Sequence, residues 1–211
     1  MDAVTMVEEQ LVSRGITDLR VLTAMAAVKR ERFVPVELRG SAYDDSPLPI
    51  GYGQTISQPY IVALMTQLLQ TEPDQIVLEI GTGSGYQAAV LSLLVKHVYS
   101  VEIVEELADR ARRVLESEGY RNVTVYHGDG SRGLPEHAPY DRIIVTAAAP
   151  RIPQALEKQL KDGGIMVIPV GPPFGVQVLR QVTKRGSKLE WIDCDYVRFV
   201  PFTGDASSEL G

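Results

Sequence analysis

The stretch Ile76-Val77-Leu78-Glu79-Ile80-Gly81-Thr82-Gly83-Ser84-Gly85-Tyr86 constrains the fold more than any other. Its first five residues are apolar except Glu79 and rich in β-branching, which suits a strand buried on both faces of a parallel sheet. Three alternate glycines then allow a tight turn, and the apolar run over residues 86–95 predicts a helix packed back on the sheet. A strand, glycine loop and helix in this order let backbone approach a nucleotide-like ligand closely and aim free helix N–H groups at it. Taken alone, such a loop also fits any α/β turn.

The remaining chain supplies the other units of such a sheet. Apolar strands are predicted over residues 98–102, 122–126, 140–145 and 165–170, with a charged amphipathic helix over 105–118 and a helix over 153–160. Residues 163–164 read as a turn, and 177–183 and 189–200 as two terminal β segments. Two short helices, over residues 4–12 and from a cap at Thr17 or Asp18 to residue 28, precede the sheet, and Pro35 breaks the pattern. Residues 42–58 are rich in Asp, Ser, Pro and Gly and read as a long irregular segment, either a connector or a functional loop. Pro59 opens a core-facing helix over 59–69. The alternation predicts a doubly wound, mostly parallel α/β sheet with helices on both faces, N-terminal helices and terminal β-strands.

Ligands of such sheets sit outside the carboxyl ends of the strands, where strand order reverses. Glu79, Glu102 and Asp129 each lie at or just past such an end, so three acids far apart in sequence converge on one crevice. Glu102 follows the glycines by about 20 residues, the spacing at which a carboxylate accepts from ribose hydroxyls; a solvent-facing strand-end acid is the alternative. Asp129 can accept from an adenine amino group beside Gly130, or cap an ordinary Asx turn.

Lys and Arg total 21 against 27 Asp and Glu, a net charge of −6, and no basic block stands out, so a nucleic-acid surface is not expected. The lone Cys194 excludes an internal disulfide, and neither cysteine nor His97, His127 and His137 has the spacing of a metal site; the histidines read as structural. With no signal pattern and no apolar run of about 20 residues, a cytoplasmic protein without membrane association is expected.

The glycine loop separates two families. A dinucleotide fingerprint needs its third glycine five residues after the first, and Tyr86 stands there. The pattern Glu79-x-Gly81-x-Gly83-x-Gly85 instead resembles the first motif of class I S-adenosylmethionine (AdoMet) methyltransferases. The chain from about residue 30 to 203 is more specifically similar to the protein-L-isoaspartate (D-aspartate) O-methyltransferases. The motifs that carry this are Arg32-Phe33-Val34-Pro35, Pro47-Leu48-Pro49-Ile50-Gly51-x-Gly53-Gln54-Thr55-Ile56-Ser57-Gln58-Pro59, Asp129-Gly130-Ser131-x-Gly133, Tyr140-Asp141-Arg142-Ile143 and Val197-Arg198-Phe199-Val200-Pro201.

Length and composition lead to the expectation of a single domain over residues 1–211, which the resemblance makes AdoMet-dependent. Residues 1–58 would form N-terminal helices and a covering loop, 59–203 the Rossmann-like core and terminal strands, and 204–211 a flexible tail. The resemblance implies methylation of the α-carboxyl of L-isoaspartyl residues in damaged proteins and peptides, with S-adenosyl-L-homocysteine as product; a monomer without a metal is expected. Ser57 would be the active-site residue. Glu79, Gly81, Thr82, Gly83 and Ser84 would surround the methionine moiety, Glu102 the ribose and Asp129 with Gly130 the adenine, while Thr55, Ile56, Ser57 and Thr203 would close over the ligand. The alternatives are a class I methyltransferase acting on a small carboxylate, and a non-catalytic binder of AdoMet or isoaspartyl peptides. An amino-directed enzyme is disfavoured because Thr146-Ala147-Ala148-Ala149-Pro150 stands where an Asp/Asn-Pro-Pro-aromatic motif is needed.

Overall fold

The computed structural model describes residues 1–204, so of the tail expected over 204–211 all but Gly204 lies outside the described residues. Helix α1 (Ala3–Met6) starts at Asp2, whose carboxylate accepts from the Thr5 N–H at 2.9 Å. The helical path continues through a π-turn (Val7–Leu11) and a 3-10 turn (Val12–Arg14) to Gly15 at φ 88°. The expected helix is therefore present, but its pitch changes where Met6, Gln10 and Leu11 all turn inward. Asp18 caps α2 (Leu19–Ala27) by accepting from Arg20 N–H at 2.9 Å.

The segment expected to be irregular contains an antiparallel hairpin, β1 (Leu48–Gly51) with β2 (Gln54–Ile56), in which Leu48 faces Ile56. Its two loop residues, Tyr52 (φ 54°) and Gly53 (φ 70°), both have positive φ, as a type I′ turn requires. The Pro and Gly content hid a real alternation: Leu48 and Ile50 point inward, Pro49 and Gly51 outward. Proline is compatible with such an edge position.

The core begins with α3 (Pro59–Leu68) and runs β3 (Ile76–Ile80), α4 (Tyr86–Ser92), β4 (His97–Glu102), α5 (Glu105–Ser117), β5 (Val123–His127), β6 (Tyr140–Val145), α6 (Gln154–Gln159), β7 (Leu160–Val170), β8 (Gln177–Arg185) and β9 (Lys188–Val197). The seven-stranded sheet has the order β5-β4-β3-β6-β7-β8-β9. The first five in that order are mutually parallel, and β8 and β9 are antiparallel additions. Strand order reverses between β3 and β6, which sets the ligand crevice at their carboxyl ends.

Alternate residues of the central strands serve different faces. Val77, Ile144 and Val167 pack with α2, α3, α4 and α5 on one side, whereas Leu78, Ile143 and Met166 pack with Leu134, Leu156 and Phe202 on the other. Both faces are therefore covered, the arrangement that continuous apolar strands demand. Two boundaries differ from expectation. The turn at residues 163–164 lies within β7, where Gly163 (φ 73°) absorbs an irregularity in register against β6. The last strand stops at Val197 because the following residues peel away to bond Ala148: its N–H donates to the Val200 carbonyl, and its carbonyl accepts from Phe202 N–H.

Candidate active site

Two adjoining cavities open at the reversal point, and a wider groove lies outside them. The first, of about 550 Å³, is bounded by Gly81, Gly83, Glu102, Ile103, Gly130 and Phe202, among others. The second, about 410 Å³, is bounded by Thr82, Ser84, Tyr86, Gln87, Ile56 and Ser57. The groove, about 1190 Å³, runs past Ser57, Gln58 and Tyr60 to Tyr196, Arg198 and Val200. Thr55 and Thr146 line all three, and Ser57 lines the second cavity and the groove. The half-buried Ser57 therefore stands where the second cavity meets the groove.

Glu102 is buried yet lines the first cavity. Its Oε2 accepts from Gly83 N–H at 2.7 Å and its Oε1 from Val104 N–H at 3.0 Å. Each carboxylate oxygen keeps a further lone pair, so the side chain is held rigidly with acceptor capacity to spare. The Gly83 N–H is consumed by this contact.

Glu79 lies deeper than the crevice. Its side chain is fully buried and lines neither cavity. Its Oε2 accepts from Ser100 Oγ, which is 2.5 Å from Thr82 Oγ1, while Oε1 has no hydrogen-bond partner. Burial raises its pKa to about 8; the Ser100 hydroxyl opposes that and the Glu102 charge reinforces it. The acid therefore reaches the cavity only through Ser100 and Thr82.

Asp129 caps a 3-10 turn (Gly130–Arg132), its Oδ1 accepting from Ser131 N–H at 2.9 Å. This Asx geometry turns Gly130, rather than the carboxylate, toward the cavity. A Cβ on Gly130 would stand 2.4 Å from Ile80 Cγ2, so only glycine lets this turn lie against the end of β3. Gly81 (φ 94°) is equally confined: a Cβ there would meet Thr146 Oγ1 at 2.4 Å. Thr203 lines the first cavity beside Pro201 and Phe202.

Three participants escaped the sequence. Thr146, read only as the absence of another motif, donates from Oγ1 to the Gly81 carbonyl at 2.6 Å and touches every cavity. Ile103 is partly exposed directly after Glu102 and provides an apolar wall. Gln87 lines the second cavity while donating to Thr66 Oγ1 at 2.9 Å. Their common signal is position, one residue past a strand end or one helical step past the glycine loop.

The histidines lie elsewhere. His97 shares a hydrogen bond with Thr124 Oγ1 at 3.0 Å, His137 stacks on Tyr99 at 4.0 Å, and His127 is exposed at the end of β5. Among the described residues, no group of three or more His, Cys, Asp or Glu side chains is placed to hold a metal ion, and no helix is long and apolar enough to cross a membrane.

A family model described as protein-L-isoaspartate(D-aspartate) O-methyltransferase matches residues 2–207. The protein-L-isoaspartate O-methyltransferase of Opitutus terrae is 59% identical over 198 residues, covering 94% of this chain and 85% of that protein. The enzyme of the same name from Myxococcus xanthus is 54% identical over 204 residues, covering 95% and 96%. A solved protein-L-isoaspartate O-methyltransferase superposes with a TM-score of 0.86 at 30% identity, over 96% of this chain and 67% of that one. A Plasmodium falciparum protein described as a beta-aspartate methyltransferase, solved in complex with S-adenosyl-L-homocysteine, shares the fold with a TM-score of 0.83 at 24% identity, over 96% of this chain and 99% of that one.

Proposed function

The chain belongs to the protein-L-isoaspartate(D-aspartate) O-methyltransferase family, and from that premise we infer that it transfers the methyl group of AdoMet to the free α-carboxyl of L-isoaspartyl residues in damaged proteins and peptides. Methyl esterification makes this carboxyl a better acylating group, so the next backbone nitrogen closes a succinimide, part of which hydrolyses to normal aspartate. The observation that carries the reading at the level of the site is the position of Ser57, at the junction of the second cavity and the outer groove.

The residues present fit the cofactor. Gly81 and Gly130 let backbone lie close against Thr146 and Ile80, so that main chain rather than side chain borders the first cavity, and Glu102 presents spare acceptor capacity where ribose hydroxyls would lie. In this reading Gly81, Thr82, Gly83 and Ser84 surround the methionine moiety, with Glu79 supporting them through Ser100. Gly130 and Ile103 take the adenine, with Asp129 fixing the turn behind it, and Thr55, Ile56 and Thr203 close the site. When bound, AdoMet supplies an electrophilic sulfonium methyl.

What the chain must do is limited by the acceptor. An isoaspartyl carboxyl has an ordinary pKa near about 4 and is already ionised at neutral pH, so no general base is needed. Thr55, Ser57 and Thr146 converge where the carboxylate enters; the Ser57 hydroxyl orients it, and the bound peptide, filling the groove, displaces water that would blunt the nucleophile. Substrates of varied sequence call for recognition through peptide backbone, which the open groove between Gln58 and Val200 accommodates. The same reading takes residues 1–211 as one methyltransferase domain, acting as a cytoplasmic monomer on proteins and peptides and not on nucleic acid, in keeping with a net charge of −6.

The test compares methyl transfer from labelled AdoMet to two synthetic peptides differing only in isoaspartate or aspartate at one position. Base-labile label on the isoaspartyl peptide alone is expected. No label on either, with AdoMet bound normally, would discard this acceptor in favour of another carboxylate.

A further inference from the structure

Arg30 is the largest fully buried side chain in the described structure. Its Nε donates to the Ala42 carbonyl at 2.6 Å and its Nη2 to the Ser57 carbonyl at 2.7 Å, while its guanidinium carbon lies 4.8 Å from the Tyr86 ring centroid. Nη1 is buried without a hydrogen-bond partner. Among the described residues no carboxylate forms an ion pair with it; Asp45, whose charge reaches it, is itself bound to Arg14 at 2.6 Å. Burial pushes the Tyr86 hydroxyl up to about 12, so the ring is neutral at physiological pH and leaves the guanidinium charge in place. Arginine itself stays protonated in proteins.

A buried cation without a counterion is costly unless something compensates it. Two carbonyls and an aromatic face do so in part. Both Ser57 and Tyr86, the groups Arg30 touches, line the second cavity, and Ser57 also lines the groove. The acceptor assigned above is an anion that must reach this junction.

We propose that Arg30 is the positioning residue of the methyl-transfer site: through the Ser57 carbonyl it fixes the hydroxyl at the junction, and its unneutralised charge draws a carboxylate, in preference to a neutral group of the same shape, to that point. This rests on the isoaspartyl reading above. Wild-type methylation of the isoaspartyl peptide tests that reading separately, whatever the outcome for Arg30.

The experiment measures binding of two peptides by calorimetry with S-adenosyl-L-homocysteine present: the isoaspartyl peptide, and its counterpart bearing an α-carboxamide in place of the α-carboxylate. Arg30→Gln keeps hydrogen-bond donors without charge, and Arg30→Lys keeps charge without the planar fork. Wild type should bind the carboxylate at least about tenfold more tightly, the scale of a charge interaction near a protein surface. The glutamine variant should lose most of that preference. The lysine variant should retain it while its kcat falls, because Ser57 is held less firmly. Equal binding of both peptides by wild type, an undiminished preference in Arg30→Gln, or the same proportional loss for both peptides in both variants would overturn the proposal. So would a fall in S-adenosyl-L-homocysteine affinity with the peptide preference intact, which would assign the charge to the cofactor.

Discussion

Replacing Glu79 by Gln should change the pH dependence of folding stability in a direction fixed by the burial of this side chain. The carboxyl sits at about 8 in the fold, against an ordinary value of 4.5. A folded-state pKa above the unfolded one means that the native state holds the proton more tightly. The stability this contributes is fully present below about pH 4.5 and is lost as pH rises toward 8. The gap of about 3.5 pH units, at about 1.4 kcal/mol each, sets a ceiling of about 5 kcal/mol. Relaxation of the site and entry of water reduce the realised loss to a few kcal/mol.

Glutamine mimics the neutral acid: it can accept from Ser100 as Oε2 does, and its amide nitrogen falls where Oε1 already lacks a partner. Denaturant unfolding of both proteins should give nearly equal stability at pH 5 and a variant more stable by a few kcal/mol at pH 8, the gap opening between these limits. A stability difference independent of pH across that range would refute the assignment of a buried, protonated Glu79.

Three further outcomes follow from the site. Ser57→Ala removes a hydroxyl worth about 1.5–3 kcal/mol against a carboxylate, so methyl transfer should slow by about 10- to 100-fold while AdoMet affinity by calorimetry stays within about twofold. An equal loss of cofactor affinity would make Ser57 a cofactor ligand. Glu102→Ala leaves the part-buried N–H groups of Gly83 and Val104 without their acceptor and removes the cavity's acid; AdoMet affinity should fall by more than about tenfold, and unchanged affinity would remove Glu102 from the site. Gly130→Ala should cost about 1–3 kcal/mol of stability through its collision with Ile80, and the cost should shrink in an Ile80→Ala background, as a double-mutant cycle can read.

The sheet and its crevice were legible in the sequence because they rest on local rules. Apolar runs of strand length, alternating with helical periods, predict β3, β4, β5, β6 and β7, and the residues at their carboxyl ends follow from counting. Gly81, Gly83, Gly130 and Glu102 thereby reach one cavity, whereas Thr203 beside them, and Thr55, Ile56 and Ser57 in its neighbour, were indicated only by the family motifs.

What only the tertiary structure decided is which way side chains face and what stands behind them. Glu79 and Asp129 occupy strand ends as counted, yet one points into the core and the other folds onto its own turn, because burial and an available N–H fix their rotamers. The short hairpin of β1 and β2 escaped notice because its Pro and Gly positions interrupt the usual strand composition. Thr146 bonds a carbonyl 65 residues earlier, and Arg30 one 27 residues later. Such contacts leave no local periodicity: they exist only once the sheet order brings β3 against β6 and the N-terminal helices against the covering loop.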